Sequence, residues 1–146
     1  MNPEKTIQLT RKGKNGDPEL VDVKLRYCAA TETGFEAMSG KSMEVFNPKI
    51  VKDDKGTNQV INPTATDEDY IKLAMAAIIA AYARNDEEPP VQSEDIIYEC
   101  TRQQVMDMVM AVSQMRIQWL NIPKLIESEI KKEAETKKTS RKKKNV

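Results

Sequence analysis

From Tyr70 to Arg84 only Lys72 interrupts an otherwise apolar stretch, YIKLAMAAIIAAYAR. Six alanines (Ala74, Ala76, Ala77, Ala80, Ala81, Ala83) give it high helix propensity and let neighbouring elements approach closely. Thr66 is a fitting N-cap, and Asp67, Glu68 and Asp69 suit the positive end of a helix dipole. A helix that is apolar nearly all round has to be central, so the rest of the chain must be arranged about it. The longest uninterrupted apolar run, Leu73–Ala83, falls well short of the roughly 18 residues that span a bilayer.

The segments before this helix alternate in character. Thr6–Lys12 carries Ile7 and Leu9 on one side, and Leu20–Ala29 puts Val21, Val23, Leu25 and Tyr27 opposite Asp22, Lys24 and Arg26. Period-two patterning on both sides of Asn15-Gly16-Asp17-Pro18 predicts a β-hairpin with one wet face and one face on a core. Two strands alone are marginal in water, so helices are expected to cover the apolar side.

Leu25–Phe46 links hairpin to helix. Thr31 and Thr33 are both candidate N-caps, and Thr33 with Glu36 fits a capping box. The expected helix is short, about two turns, with Phe35 and Met38 on one face and Gly40 as its C-terminal stop. Ser42–Phe46 looks extended and is broken by Asn47-Pro48. Lys49–Asn62 fits either a small hairpin turning at Asp54–Gly56 or a mobile loop.

Beyond the exposed linker Asn85–Val91, Ser93 is expected to cap a short helix, Glu94–Glu99, that buries Ile96, Ile97 and Cys100. Thr101 with Gln104 repeats the capping-box pattern and opens a second long helix. Its main stripe is Val105, Met108, Val112, Met115, Trp119, Ile122 and Ile126. A second row, Met106, Val109, Met110, Ile117 and Leu120, widens the apolar surface beyond what one neighbouring helix covers. Asn121-Ile122-Pro123 should kink or end this helix, and Lys124–Thr136 should continue helically.

The expected fold class is α+β: an N-terminal β-hairpin packed on a small, mainly α-helical bundle, with a disordered basic C-terminal tail. Residues 1–130 form a single domain in this scheme, 47–62 being a hairpin or loop insertion, and 131–146 form a flexible tail. The formal net charge of zero hides an asymmetry. Residues 131–146 hold eight Lys and Arg against Glu133 and Glu135, so the tail is strongly basic and the body acidic.

Catalytic equipment is sparse. There is no histidine and no C-x-x-C, which removes the usual zinc ligands and the usual general base of Ser and Cys nucleophiles. Cys28 and Cys100 are expected to be reduced thiols behaving as small apolar residues. Ser39-Gly40-Lys41-Ser42 resembles the end of a phosphate-binding loop, but that motif needs its first glycine at position 35, which is Phe35. The string is better explained as a helix stop followed by a polar turn. Asp67–Asp69 and Asp86–Glu88 are a helix start and a solvated linker rather than paired catalytic acids.

Four methionines fall within ten residues: Met106, Met108, Met110 and Met115. One helix face cannot bury 106, 108 and 110 together, so part of this surface should meet a second layer or a partner. These four and Trp119 are the candidate partner-binding residues. The basic tail has no aromatic interleaving and no reading module, so specific nucleic-acid recognition is not expected. Asn2–Lys14 is polar and charged, unlike a signal peptide, which suggests a cytoplasmic protein.

The order of parts resembles the tail assembly chaperones of long-tailed bacteriophages and related prophages. The likeness spans roughly residues 20–125 and lies in a hairpin ending Leu25-Arg26-Tyr27, then Gly34-Phe35-Glu36-Ala37-Met38-Ser39-Gly40-Lys41-Ser42. The latter is similar to the family's "aromatic-hydrophobic, Glu, Thr/Ser-Gly-Lys-Ser" passage. An alanine-rich helix with an acidic start, an acidic linker and a further helix follow, although residues 49–62 exceed the family's usual connection. The resemblance implies a non-enzyme without cofactors that binds the tape measure protein, shields its hydrophobic helices and helps recruit tail tube subunits. A homo-oligomer, a small structural tail or head-completion protein, and a nucleic-acid-associated protein using the basic tail remain open.

Overall fold

The computed structural model describes residues 2–121. Over that range the chain is α+β, in the order β1 (Glu4–Lys12), β2 (Pro18–Arg26), α1 (Ala29–Ser39), a 3-10 turn (Met43–Phe46), β3 (Lys49–Lys52), β4 (Asn58–Ile61), α2 (Asp67–Ala83), α3 (Ser93–Tyr98) and α4 (residues 102–121). The expected tail at 131–146, the last part of the expected domain, and the Pro123 kink lie outside the described residues.

β1 and β2 pair antiparallel, with Ile7 opposite Val23 and Leu9 opposite Val21. That register puts the alternating apolar residues on one face: Leu9, Val23 and Leu25 are fully buried, Ile7 and Val21 partly so. α2 supplies the centre of the core. Leu73, Ala74, Ala77 and Ile78 are buried, as are Met75, Ala76 and Ala80, while Ile79 is 43 % exposed. Its start is capped as expected, Thr66 accepting from the Asp69 N–H at 3.2 Å and Asp69 accepting in return from the Thr66 N–H.

α1 lies against α2 through its smallest residue. A Cβ on Gly34 would stand 3.4 Å from that of Ala76, so the two helices meet almost backbone to backbone. At its far end the Tyr82 hydroxyl of α2 accepts from the Lys24 N–H, tying helix to hairpin. Phe35, Phe46 and Tyr70 form an edge-to-face aromatic chain with centroid separations of 4.9 and 5.0 Å.

Several local expectations are corrected. α1 begins earlier than Thr31 or Thr33, with Cys28 as N-cap and three turns rather than two. The Thr31 hydroxyl accepts from the Cys28 N–H and donates to the Arg26 carbonyl, which closes the strand–helix corner from inside the first turn. Thr33 donates to the Ala29 carbonyl and is simply helical. Gly40 does end the helix, at φ +68° with its N–H on the Glu36 carbonyl. Phe35 and Met38, expected on one face, differ in burial: Phe35 is fully buried and Met38 is 39 % exposed.

Ser42–Phe46 is not extended. Ser42 caps a 3-10 turn by accepting from the Glu44 N–H, and a spacing of three brings Met43 and Phe46 to the same side. In this geometry Phe46 reaches between Phe35 and Tyr70. In α3 the cap is Gln92, held by its N–H to the Asp95 carboxylate at 2.8 Å, so Ser93 is the first helical residue. Ile96 is buried, but Ile97 is 67 % exposed, because six residues offer one inward position per turn.

Residues 49–62 form the hairpin. Asp53–Thr57 closes it with Gly56 at φ +78°, and the Asp53 carboxylate accepts from the N–H groups of Lys55 and Thr57. All eight strand residues of this second hairpin are exposed, including Ile50, Val51, Val60 and Ile61. It stands away from the core as a finger.

Candidate functional site

α4 opens with the expected capping box, Thr101 accepting from the Gln104 N–H and Gln104 from the Thr101 N–H. It lies along β1 in the opposite direction, Thr10 donating to Gln104 and Lys5 to Gln114, with one face down on the core. Met108, Val112 and Met115 are fully buried, and the Trp119 ring, half-buried, sits 5.5 Å from Tyr27. Burial and the nearby Glu32 carboxylate, which accepts from its hydroxyl at 2.8 Å, push the Tyr27 phenol above its ordinary value.

The candidate partner-binding residues therefore divide. Met108 and Met115 are core, as is most of Trp119, and this corrects their assignment to a partner face. Met106 and Met110 are 47 % and 56 % exposed. They belong to the second row, in which Ile117 and Leu120 are also exposed and Val109 is half-buried. Met106, Met110, Ser113, Ile117 and Leu120 follow one another at steps of four and three, the spacing of a helix-docking seam.

This seam borders an open groove of about 580 Å³ between the start of α2 and the first half of α4. Ile71, Val105, Met106, Val109 and Met110 make its apolar walls, and Asp67 and Arg102 stand at its rim. Farther along, Phe46, Pro48, Tyr70, Leu73, Ser113, Arg116 and Ile117 line a smaller recess of about 240 Å³. Arg116 lies over the Phe46 ring, 5.7 Å from its centroid, and donates to the Asn47 side chain at 2.7 Å. Its Nε is buried with no hydrogen-bond partner among the described residues. The surface can hold apolar side chains along a helix's length and orient them with charge at one end.

Lys41 proves to be an anchor. Its ammonium donates to both Asp69 carboxylate oxygens, at 3.1 and 3.0 Å, and Asp69 is only 2 % exposed. Burial by itself would raise the Asp69 pKa, but the Thr66 N–H and the Lys41 ammonium outweigh it and hold the carboxyl below its usual range. The Ser-Gly-Lys-Ser string thus pins the exit of α1 to the start of α2, one wall of the groove.

Cys28 and Cys100 are free thiols. Cys100 donates to the Thr10 carbonyl, and burial pushes its thiol up. Among the described residues no cluster of three or more His, Cys, Asp or Glu could hold a metal ion, and no helix is long and apolar enough to cross a membrane.

Sequence reasoning missed Ile71, because a helix read as apolar all round hides which residues lie at its margin. It also missed the finger's Ile50, Val51, Val60 and Ile61; clustered β-branched residues on either side of Asp53–Thr57 were the available signal. No protein-family model, curated protein or solved structure matches the chain.

Proposed function

We propose that this chain is a non-catalytic tail assembly chaperone of a long-tailed phage or prophage, acting in the host cytoplasm. It holds amphipathic helices of the tape measure protein in the groove between α2 and α4 and helps recruit tail tube subunits. The observation carrying this reading is the uncovered second row of α4, Met106, Met110, Ile117 and Leu120, lying beside a groove walled by Ile71, Val105 and Val109. An apolar groove bordered by a four-and-three seam accepts a helix lengthwise, and methionine repacks easily against varied partner side chains. The resemblance of Gly34–Ser42 and of the order of elements to the family's pattern supplies the partner's identity.

The test is co-expression of the full chain with the tape measure protein encoded beside it, followed by affinity capture. Capture is expected from the native chain and loss of capture from Met106→Asp/Met110→Asp, with thermal stability retained. A native chain that captures no tape measure protein would overturn the reading. Recovery of the chain in stoichiometric amounts from purified particles would favour a structural tail component instead.

A further inference from the structure

We infer that two copies of this chain associate through the free edge of β4, joining their fingers into one four-stranded antiparallel sheet. Asp53 donates its N–H to the Thr57 carbonyl at 2.9 Å, while the Thr57 N–H goes to the Asp53 carboxylate, so Asp53 and Thr57 occupy a hydrogen-bonded position at the hairpin's closed end. Antiparallel pairs alternate, so Val51/Gln59 and Lys49/Ile61 are bonded pairs, while Lys52/Asn58 and Ile50/Val60 are not. The N–H and C=O groups of Ile50 and Lys52 therefore point off one side of the finger, and those of Asn58 and Val60 off the other.

The two edges are not alike. Continuing the alternation, the β3 edge presents Pro48, Ile50 and Lys52, a missing donor and a charge that obstruct strand addition. The β4 edge presents Asn58, Val60 and Asn62, with every donor present and no charge. A neutral edge is self-complementary, since antiparallel pairing with its own copy sets no like charges opposite one another. With Val60 of each copy meeting on the two-fold axis, Ile50 and Val60 of one finger line up with Val60 and Ile50 of the other. That row places four β-branched residues side by side across one face, the cross-strand arrangement that stabilises sheets. It also converts a two-stranded sheet, marginal by itself, into one of four strands. Ile50 and Val60 are 71 % and 68 % exposed in the single chain, so the row is free to form.

Sedimentation equilibrium of the full chain over a concentration series tests this. The native chain is expected to be a reversible dimer. Val60→Pro removes a donor that the β3–β4 ladder does not use, and Val60→Lys puts like charges on the axis. Each should raise the dimer Kd about tenfold or more, Val60→Pro through the loss of the hydrogen bonds across the axis and Val60→Lys through like charges set directly opposite one another, with the circular dichroism melt of the body unchanged. A native chain that stays monomeric throughout would overturn the inference. So would a dimer indifferent to both Val60 variants, or one abolished by Met106→Asp/Met110→Asp alone, which would move the interface to the groove.

Discussion

Replacing Lys41 with methionine keeps the length of the side chain and deletes its charge, leaving Asp69 buried with the Thr66 N–H as its remaining donor. Charge-assisted hydrogen bonds contribute about 1.5–3 kcal/mol when buried. Lys41 is 46 % exposed, which screens its half of the pair and brings the expected loss to about 1–2 kcal/mol. Asp69→Asn should cost a similar amount, since it weakens both the ion pair and the cap. The double variant should recover part of the sum, with a coupling on the order of 1 kcal/mol.

The sign with pH follows from the depressed Asp69 pKa. Its contribution is complete above the ordinary carboxylate value, near 3.8, and is lost as the pH falls through the lower folded-state value. Urea unfolding of the four proteins at pH 7 and again near pH 3 measures both effects, and the gap between native chain and Lys41→Met should narrow in acid. Strict additivity in the double variant, or a Lys41→Met chain as stable as the native one at pH 7, would refute the anchoring role.

Met108→Ala should destabilise the chain by about 2–4 kcal/mol in chemical denaturation, because its side chain is fully buried. Met110→Ala, two residues away and 56 % exposed, should change stability by less than about 0.5 kcal/mol yet, under the proposed function, weaken tape measure capture. Gly34→Val should cost about 1–3 kcal/mol in the same assay, since its branches would overlap Ala76 where α1 and α2 nearly touch. Thr66→Ala should lower the melting temperature through the loss of roughly 1 kcal/mol of capping, while leaving partner capture intact at room temperature.

What could be read from the residues was whatever is decided within one turn or one strand. The Thr66 and Thr101 capping boxes, the Gly40 stop, the alternation of Val21 to Tyr27 and the apolar excess of α2 all depend on near neighbours. Thr33 with Glu36 matched the same capping pattern and misled, because Thr31 reaching back to Cys28 and Arg26 starts the helix earlier. Ser42–Phe46 has too few residues for three-fold and two-fold spacing to be told apart, and the Phe35–Phe46–Tyr70 contact that decides it is not local. For the candidate site, the arithmetic of 106, 108 and 110 required some methionines to face outward. Which ones did depended on where α2 and Tyr27 lie. The Lys41–Asp69 pair, 28 positions apart, left no trace in sequence spacing.

The finger leaves the body just after Phe46 and returns at Ala65, whose N–H donates to the Val45 carbonyl at 2.9 Å. Exit and re-entry are thus stapled together below Pro48, and none of the buried core residues lies between them. Such a segment is a cassette. It can be shortened to a simple turn, lengthened or exchanged for another pair of strands while the body keeps its shape, so whatever the finger touches can change along one surface without renegotiating the fold beneath it.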